Sequence, residues 1–360
     1  MSRPLVGHLD PVFLALLDEV QGYLRELFGT GNEFTLPISA TGSAGMEACF
    51  ANLVEDGDEV VIGVNGIFGG RMAEVARRLG ARVIRAEAPW GEPVSMDAFA
   101  AAMARCRKPA LLCVVHAETS TGVWQPLEGL AELAHGAGAL LLVDAVTSLG
   151  GCPLQLDVLE IDACYSGSQK CLSCPPGLSP LSIGGRAMDK VRSRKTEPRS
   201  WYLDFRLIGD YFGSGRVYHH TAPISMIYAL AEALAIVREE GLEARFERHR
   251  SNHMALLAGL AELGLEPAAL EGYRLWMLNS ITVPGKVDEA AIRTRLLHRH
   301  GIEIGAGLGP LAGKVWRIGL MGESSKRGNV ERVVSALAAE LGCGRGQQAL
   351  EAVAASYGRG

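Results

Sequence analysis

The sequence lacks any apolar run near the roughly 20 residues that a membrane-spanning helix requires. Its first residues lack the apolar segment of a secretory signal, so we expect a cytoplasmic location. An excess of positive charge is also absent, because 35 Lys and Arg stand against 40 Asp and Glu, for a net charge of -5. We therefore expect neither a membrane nor a nucleic acid as a partner.

Motifs for nucleotides and metals are equally scarce. Neither a Gly-x-Gly-x-x-Gly fingerprint nor a phosphate-binding loop with Gly-Lys-Ser/Thr follows a strand pattern, which argues against nucleotide binding. Possible metal ligands without an evident third member are His219 with His220, His298 with His300, and Cys171 with Cys174. We therefore expect no metal site. The 8 cysteines are interpreted as reduced thiols.

Short apolar runs alternate with patterns of helical period through the middle of the chain. Such runs are typical of strands whose two faces are both covered by helices. Alternation of strands and helices implies right-handed crossovers and a mostly parallel sheet, so the predicted fold class is α/β. The candidate strands cover residues 58–64, 82–86, 110–116, 139–146, 162–166 and 178–183, and the helical patterns between them include 71–79, 96–106 and 127–135.

The pattern changes near residue 224, where helices become longer and strands shorter. Helical patterns cover 225–239 and 242–263, and later strand patterns cover 280–283, 303–306 and 315–320. We predict a large domain at 1–240, a smaller α+β domain at 241–345, and a C-terminal tail or frayed helix at 346–360.

Lys170 follows the segment Tyr165-Ser-Gly-Ser-Gln, just after a strand pattern. This position lies at the carboxyl edge of the predicted sheet, where open α/β folds bind their ligands. A partly desolvated lysine at that edge is able to form an imine with an aldehyde. The alternative is an ordinary lysine in a surface loop.

Asp144 ends the apolar run Leu140-Leu-Leu-Val, and a buried carboxylate needs a partner. One such partner is the pyridine nitrogen of pyridoxal phosphate (PLP), which must stay protonated for the ring to act as an electron sink. Mg²⁺ or a ribose hydroxyl is the alternative. The 26 residues from Asp144 to Lys170 form one strand–helix–strand crossover, which brings both side chains to the same edge.

An anion site is indicated by Ser39-Ala-Thr-Gly-Ser43, which lies between a short strand pattern and a helical pattern that begins near Ala44. Free N–H groups at the start of that helix, together with the hydroxyls of Thr41 and Ser43, suit a phosphate. The alternative is that these residues only cap the helix.

Five motifs occur in the order Ser39-Ala-Thr-Gly-Ser43, Asn65-Gly-Ile-Phe68-Gly, His116-Ala-Glu-Thr-Ser-Thr-Gly122, Val143-Asp144 and Ser166-Gly-Ser-Gln-Lys170. Further segments at 193–196, 201–204, 218–221 and 313–319 extend the pattern from about Gly7 to Leu341. In this order the motifs resemble the class V aminotransferases of fold type I, and within them the alanine–glyoxylate and serine–pyruvate aminotransferase group.

The resemblance implies roles for individual residues. Lys170 is implied as the catalytic Schiff-base lysine and proton carrier, and Asp144 as the partner of the pyridinium. Phe68 is implied to stack on the cofactor ring where the animal enzymes typically have Trp, although plain core packing is the alternative. Thr119 is implied to lie beside the ring, and Arg317 to grip the substrate α-carboxylate.

The phosphate of the cofactor is implied to have two sets of neighbours. Thr41, Gly42, Ser43 and Gln169 face it within one chain. Tyr218 and Thr221 are implied to reach the phosphate in the neighbouring subunit, and the alternative is that these two residues only pack a loop. The resemblance therefore implies a homodimer with shared active sites.

The implied activity is transfer of an amino group from alanine or serine to glyoxylate or pyruvate, with pyridoxal 5'-phosphate as cofactor. One alternative is a cysteine desulfurase-like lyase, which needs a reactive cysteine late in the chain, where Cys343 is the only candidate. The other is a non-catalytic assembly protein on the same fold. Family members usually carry a Gly-Pro segment ahead of the stretch at 7–11, and its absence here is expected to affect activity and dimer stability.

Overall fold

The computed structural model describes residues 4–358. Its helices are α1 (Pro11–Phe28), α2 (Gly42–Leu53), α3 (Ile67–Arg78), α4 (Met96–Met103), α5 (Leu130–Gly136), α6 (Gly185–Arg192), α7 (Phe205–Phe212), α8 (Ile224–Glu240), α9 (Leu242–Glu262), α10 (Glu289–His300), α11 (Arg327–Leu341) and α12 (Gly346–Tyr357). Its strands are β1 (Phe34–Ile38), β2 (Glu59–Val64), β3 (Arg82–Glu87), β4 (Pro109–Val115), β5 (Ala117–Glu118), β6 (Val123–Trp124), β7 (Leu140–Asp144), β8 (Ala163–Tyr165), β9 (Ser179–Ile183), β10 (Leu278–Thr282), β11 (Gly305–Ala306) and β12 (Val315–Gly319).

The central sheet has 7 strands in the order β1-β9-β8-β7-β4-β2-β3. The strands from β8 to β3 in this order run parallel, and β9 is antiparallel to both of its neighbours. β7 is buried along its whole length, as expected for a strand covered on both faces. The predicted α/β class and the mostly parallel sheet are confirmed.

The strand order brings three chain segments to one edge of this sheet. Asp144 at the end of β7 is in register with Val115 on one side and with Tyr165 on the other. β1 points the same way as these strands, because it is antiparallel to β9, so the turn after Ile38 leads into α2 at the same edge. The motifs around 39–43, 116–122 and 165–170 therefore meet in space.

The later part of the chain forms a second layered unit. β10, β12 and β11 make a 3-stranded antiparallel sheet, and the predicted strand at 303–306 is reduced to Gly305–Ala306. Most of the buried apolar side chains between Ala255 and Val353 form their own hydrophobic cluster, which includes Trp316. This cluster supports the smaller α+β domain, whose boundary at 240/241 stays a prediction.

Of the two expectations for the C-terminal segment, a tail or a frayed helix, the structure shows a helix at Gly346–Tyr357, and this helix, α12, is packed rather than frayed. Ala349 and Val353 lie four residues apart on one face and are both fully buried. They face α9, where a Cβ added to Gly259 would lie 2.6 Å from Cγ2 of Val353. The helix closes the second cluster and is part of its core.

Helix α1 has no counterpart in the sequence analysis, although its signals are local. The Asp10 carboxylate accepts a hydrogen bond of 2.8 Å from the Val12 N–H, Pro11 occupies the first turn, and Gly29 ends the helix in the left-handed conformation.

None of the helices in the described range 4–358 is both long and apolar enough to span a bilayer.

Candidate functional site

A cavity of about 300 Å³ opens at the carboxyl edge of β4, β7 and β8, and its size is that of a small-molecule site. The predicted site residues that line it are Thr41, Gly42, Ser43, Phe68, Thr119, Asp144, Gln169 and Lys170. Residues from all five motifs therefore face a single space.

Asp144 is buried in the floor of this cavity. Its Oδ1 accepts a hydrogen bond of 2.8 Å from the Val146 N–H, and its Oδ2 accepts one of 2.7 Å from the Tyr165 hydroxyl. Neither donor carries a positive charge. Burial raises the pKa of Asp144 to about 6, and the negative charge of Glu118 adds to the rise. The charge of Arg71 lowers the pKa of Asp144, but no ion pair joins the two within residues 4–358, so a cationic group in the cavity would supply a direct charge partner.

Lys170 lies in the loop that follows β8, and this loop is held by its own hydrogen bonds. The Ser168 carbonyl accepts a hydrogen bond of 3.0 Å from the Cys174 N–H, and the Ser168 hydroxyl donates one of 2.7 Å to the Pro175 carbonyl. Partial burial lowers the pKa of Lys170, and the positive charge of Arg317 lowers it further. A lowered pKa increases the fraction of neutral amine, which is the nucleophilic form.

The start of α2 forms the anion-facing side of the cavity. Thr41 is the N-cap and makes no side-chain hydrogen bond to the helix, so the first N–H groups of α2 border the cavity without that partner. At Gly42, a Cβ would lie 3.0 Å from Cγ2 of Val146 and 3.2 Å from the Ser166 carbonyl oxygen. A side chain at this position would require Val146 or the Ser166 backbone to shift by a few tenths of an ångström, so glycine suits this close approach of α2.

Phe68 lines the cavity from the first turn of α3. The Arg71 guanidinium lies over its ring, 4.9 Å from the centroid, and also lines the cavity. The sequence analysis did not single out Arg71. The spacing of three residues from Phe68 on a helix is the local signal that could have found it.

Arg317 lies on β12 at the rim of the cavity, and it is not among the residues that line it. Its Nε donates to the Ala306 carbonyl at 2.7 Å and its Nη1 to the Thr119 carbonyl at 3.2 Å. Burial lowers the pKa of Arg317, and the nearby Glu118 carboxylate opposes that shift. The guanidinium has five N–H groups, so these two bonds leave part of its fork for a ligand.

Tyr218 and Thr221 are exposed and do not line the cavity of their own chain. Val217, the neighbour of Tyr218, is also exposed, at 57%, and Trp201, which is 64% accessible, stacks on His219 with ring centroids 4.5 Å apart. His220 connects this segment to the anion-facing turn, because its Nε2 lies 2.6 Å from the Ser39 hydroxyl. The structure therefore brings Tyr218 and Thr221 near this turn but outside the cavity.

Other contributors were missed by sequence reasoning. Those that line the cavity are Met46, Val115, Ala117, Val146, Thr147 and Tyr165. Glu118 is also missed, although it lies in the motif at 116–122 that carried the resemblance. Its carboxylate accepts the N–H groups of Phe68 and Gly69, about fifty positions earlier, and no local pattern reveals such a contact.

Two further expectations concern metals and Cys343. Within residues 4–358, no three potential metal ligands come together. Cys343 packs against the second hydrophobic cluster, with its Sγ 3.9 Å from the Ala338 carbonyl. It therefore lies in the smaller unit and does not line the cavity.

Comparison with known proteins agrees with this geometry. The family described as aminotransferase class-V matches residues 6–319. The chain is 42% identical over 337 residues to the alanine–glyoxylate aminotransferase of Oryctolagus cuniculus, and the alignment covers 92% of this chain and 86% of that protein. It is 39% identical over 359 residues to the (S)-ureidoglycine–glyoxylate transaminase of Bacillus subtilis, which covers 95% of this chain and 86% of that protein.

Solved structures give the same picture. The alanine–glyoxylate aminotransferase of Nostoc sp. superposes with a TM-score of 0.92 at 50% identity, covering 94% of this chain and 90% of that one. A cysteine desulfurase of Thermococcus onnurineus has a TM-score of 0.71 at 17% identity, which shows a shared fold alone. Members of the matched family depend on PLP. By its sequence over most of its length and by its fold, the chain belongs to the class V aminotransferases.

Proposed function

We propose that this chain uses PLP to transfer an amino group from a small amino acid, alanine or serine, to glyoxylate or pyruvate. The observation that carries the proposal is the single cavity lined by Lys170, Asp144 and the start of α2. Glyoxylate is the favoured acceptor, because it is named for both relatives, whereas their donors differ. The donor of the Bacillus subtilis relative, (S)-ureidoglycine, is therefore included in the tests.

Three features of the cavity fit this cofactor. Asp144 is a buried carboxylate with only neutral donors, which suits a protonated ring nitrogen. The start of α2 lacks a side-chain cap, which suits a phosphate. Gln169 has its buried Oε1 without a hydrogen-bond partner, and rotation of its amide presents either an acceptor or two N–H donors to a bound group.

Each residue then has a separate task. PLP supplies an electron sink for the charge that develops when the Cα–H bond of an amino acid breaks. Lys170 would hold the cofactor through Nζ, and the same amine would carry the proton. Asp144 would keep the ring nitrogen protonated, Phe68 would pack on the ring, and Arg317 would orient the substrate carboxylate at the rim.

A visible spectrum tests the cofactor and its lysine. Protein reconstituted with PLP is expected to show the absorption band of lysine-bound cofactor, and Lys170→Ala is expected to lose it. Alanine, serine or (S)-ureidoglycine added singly is expected to bleach the band, and glyoxylate or pyruvate to restore it. An unchanged band in Lys170→Ala would refute the central claim, and bleaching by none of these donors would refute the assigned donor class.

The alternative activities have less support. The desulfurase alternative needs a reactive cysteine near the cavity, but Cys343 packs in the second hydrophobic cluster. Release of sulfide from cysteine by the purified protein would revive it. A non-catalytic role is opposed by the joint presence of Lys170, Asp144 and Arg317, and failure to bind PLP would favour that role.

The eight free cysteines support a reducing compartment such as the cytoplasm.

We also propose that the active unit is a homodimer in which Tyr218 and Thr221 reach the phosphate site of the neighbouring subunit. The support is their exposure, together with the exposure of the apolar side chains of Trp201 and Val217 nearby in the chain. In a two-fold dimer each site would then combine residues of both chains.

Mixing of inactive variants tests this arrangement. Lys170→Ala and a Tyr218→Ala/Thr221→Ala double variant are each expected to be inactive or weak alone. Random mixing is expected to restore about a quarter of the parent activity, because half of the dimers are mixed and each of these has one intact site. Mixed dimers that form without any recovery would show that each site uses one chain only.

A further inference from the structure

Helix α3, which presents Phe68 to the cavity, has no N-cap side chain of its own. Its N-cap is Gly66, and the cap makes no side-chain hydrogen bond. The first N–H groups of a helix need acceptors from elsewhere when they are shielded from water. Here those acceptors come from the loop that follows β4.

Glu118 and Ser120 accept three successive N–H groups of α3. The Ile67 N–H donates to the Ser120 hydroxyl oxygen at 2.9 Å. The N–H groups of Phe68 and Gly69 both donate to Oε2 of Glu118, at 2.9 and 3.2 Å. The residue that carries the cavity-lining ring is therefore bonded to Glu118 through its own backbone nitrogen.

The Glu118 carboxylate is itself fixed and fully buried. Its Oε1 accepts the N–H of Ser120 at 3.1 Å and the hydroxyl of Ser120 at 2.5 Å. A Cβ on Gly66 would overlap the Glu118 side chain, so the space between the two residues is closed. Burial raises the pKa of Glu118, and these four donors oppose that rise.

Glu118 also stands between two walls of the cavity. It is followed by Thr119, whose carbonyl accepts the Arg317 Nη1 at 3.2 Å. A carboxylate at the N-terminus of α3 is favoured by the helix dipole, and its bonds to N–H groups are charge-assisted. Residues 118 and 119 thus connect Phe68, on one side of the cavity, with Arg317 at its rim.

We propose that Glu118, supported by Ser120, is a positioning residue. It holds the first turn of α3 so that the Phe68 ring lies where it packs on the cofactor ring. The proposal rests on the proposed use of PLP. Glu118 acts through α3 and does not line the cavity itself. Its loss is therefore expected to reach the cofactor by loosening residues 66–69.

Glu118→Gln and Ser120→Ala test the proposal at two strengths. Glutamine keeps the shape, but one of its two positions is an NH₂ that cannot accept, so at least one of the four donors loses its acceptor. We expect the dissociation constant for PLP to rise about 10- to 100-fold in Glu118→Gln, as for loss of a hydrogen bond to a charged group. Ser120→Ala leaves Glu118 in place, and a rise of a few-fold, about 2- to 10-fold, is expected.

Glu59→Gln is the matched control. Glu59 is also a buried carboxylate that accepts two backbone N–H groups, those of Arg107 and Lys108 at 2.6 and 2.8 Å. It lies at the amino end of β2, the opposite edge of the sheet from the cavity. We expect Glu59→Gln to leave the dissociation constant for PLP unchanged, whatever its effect on stability.

Two measurements separate positioning from a general loss of structure. Hydrogen exchange of the cofactor-free protein is expected to accelerate at Phe68 and Gly69 in Glu118→Gln and to stay unchanged in the strands β4 and β7. In a double-mutant cycle, Phe68→Ala is expected to remove most of the effect of Glu118→Gln on PLP affinity, because Glu118 acts through that ring.

The outcomes distinguish this inference from the proposed function. Additive effects of Glu118→Gln and Phe68→Ala, or unchanged PLP affinity in Glu118→Gln, would overturn the positioning role alone. Failure of the parent protein to bind PLP would overturn the proposed function and this inference with it.

Discussion

Asp144→Asn offers a quantitative test of the site, because it removes a charge and keeps the shape of the side chain. In the cofactor-free protein burial raises the pKa of Asp144 from 3.8 to about 6. The folded chain therefore holds this proton more tightly than the unfolded chain does. The resulting stabilisation is fully present below about pH 4 and is lost as the pH rises through about 6.

The size of the effect follows from the shift. A rise of about 2 units corresponds to about 3 kcal/mol, at about 1.4 kcal/mol per unit. An asparagine does not ionise and escapes this loss. The unfolding free energy of Asp144→Asn minus that of the parent is therefore expected to increase by about 3 kcal/mol between about pH 4 and pH 8.

Urea unfolding of the two cofactor-free proteins, followed by fluorescence at several pH values, measures this difference. PLP is expected to stabilise the parent more than Asp144→Asn at pH 8, because a protonated ring nitrogen would pair with the ionised carboxylate. A difference between the proteins that stays flat with pH, or that falls as the pH rises, would refute the reasoning.

Asp204→Asn is a control with the opposite sign. Burial raises the pKa of Asp204, but the hydrogen bonds and charge of Arg206, 2.8 Å away, outweigh it, so the net shift is downward. Its stabilisation is present above its unfolded pKa and is lost as the pH falls. The unfolding free energy of Asp204→Asn minus that of the parent should therefore decrease as the pH rises to about 5, and should stay nearly flat from there to about pH 8.

Two further predictions concern the rim and the second cluster. Arg317→Lys is expected to lower kcat/KM for the amino donor about 10- to 100-fold, because a lysine cannot make the two-donor contact. The dissociation constant for PLP is expected to stay nearly unchanged. An equal loss in PLP affinity would contradict the place of Arg317 at the rim. Val353→Ala is expected to lower the unfolding free energy by about 1–3 kcal/mol in urea titrations. Glu351→Ala, on the exposed face of the same helix, should change it by less than about 0.5 kcal/mol. Equal effects of the two substitutions would contradict the packed position of α12.

Local patterns predicted most of the central sheet. The apolar runs ending at Val64, His116 and Asp144 correspond to β2, β4 and β7, because a strand covered on both faces must be apolar almost throughout. The two-residue strands β5 and β6 were missed, because segments so short have no period to read.

Helix α12 shows the limit of the same approach. The glycines and polar residues at its start predicted a tail or a frayed helix, and the docking of Ala349 and Val353 against α9 explains why the helix is packed. Helices of this length gain most of their stability from packing, which depends on a partner far away in the chain.

The candidate roles of Lys170, Asp144 and the turn at 39–43 were predicted from the sequence, because residue type and position after a strand are local properties. The tertiary structure alone decided that these groups share a cavity with Met46 and Thr147, that Glu118 holds the start of α3, and that Tyr218 lies outside its own site. The physical reason is that hydrogen bonds and burial depend on which distant backbone groups come within a few ångströms, and no local pattern encodes that.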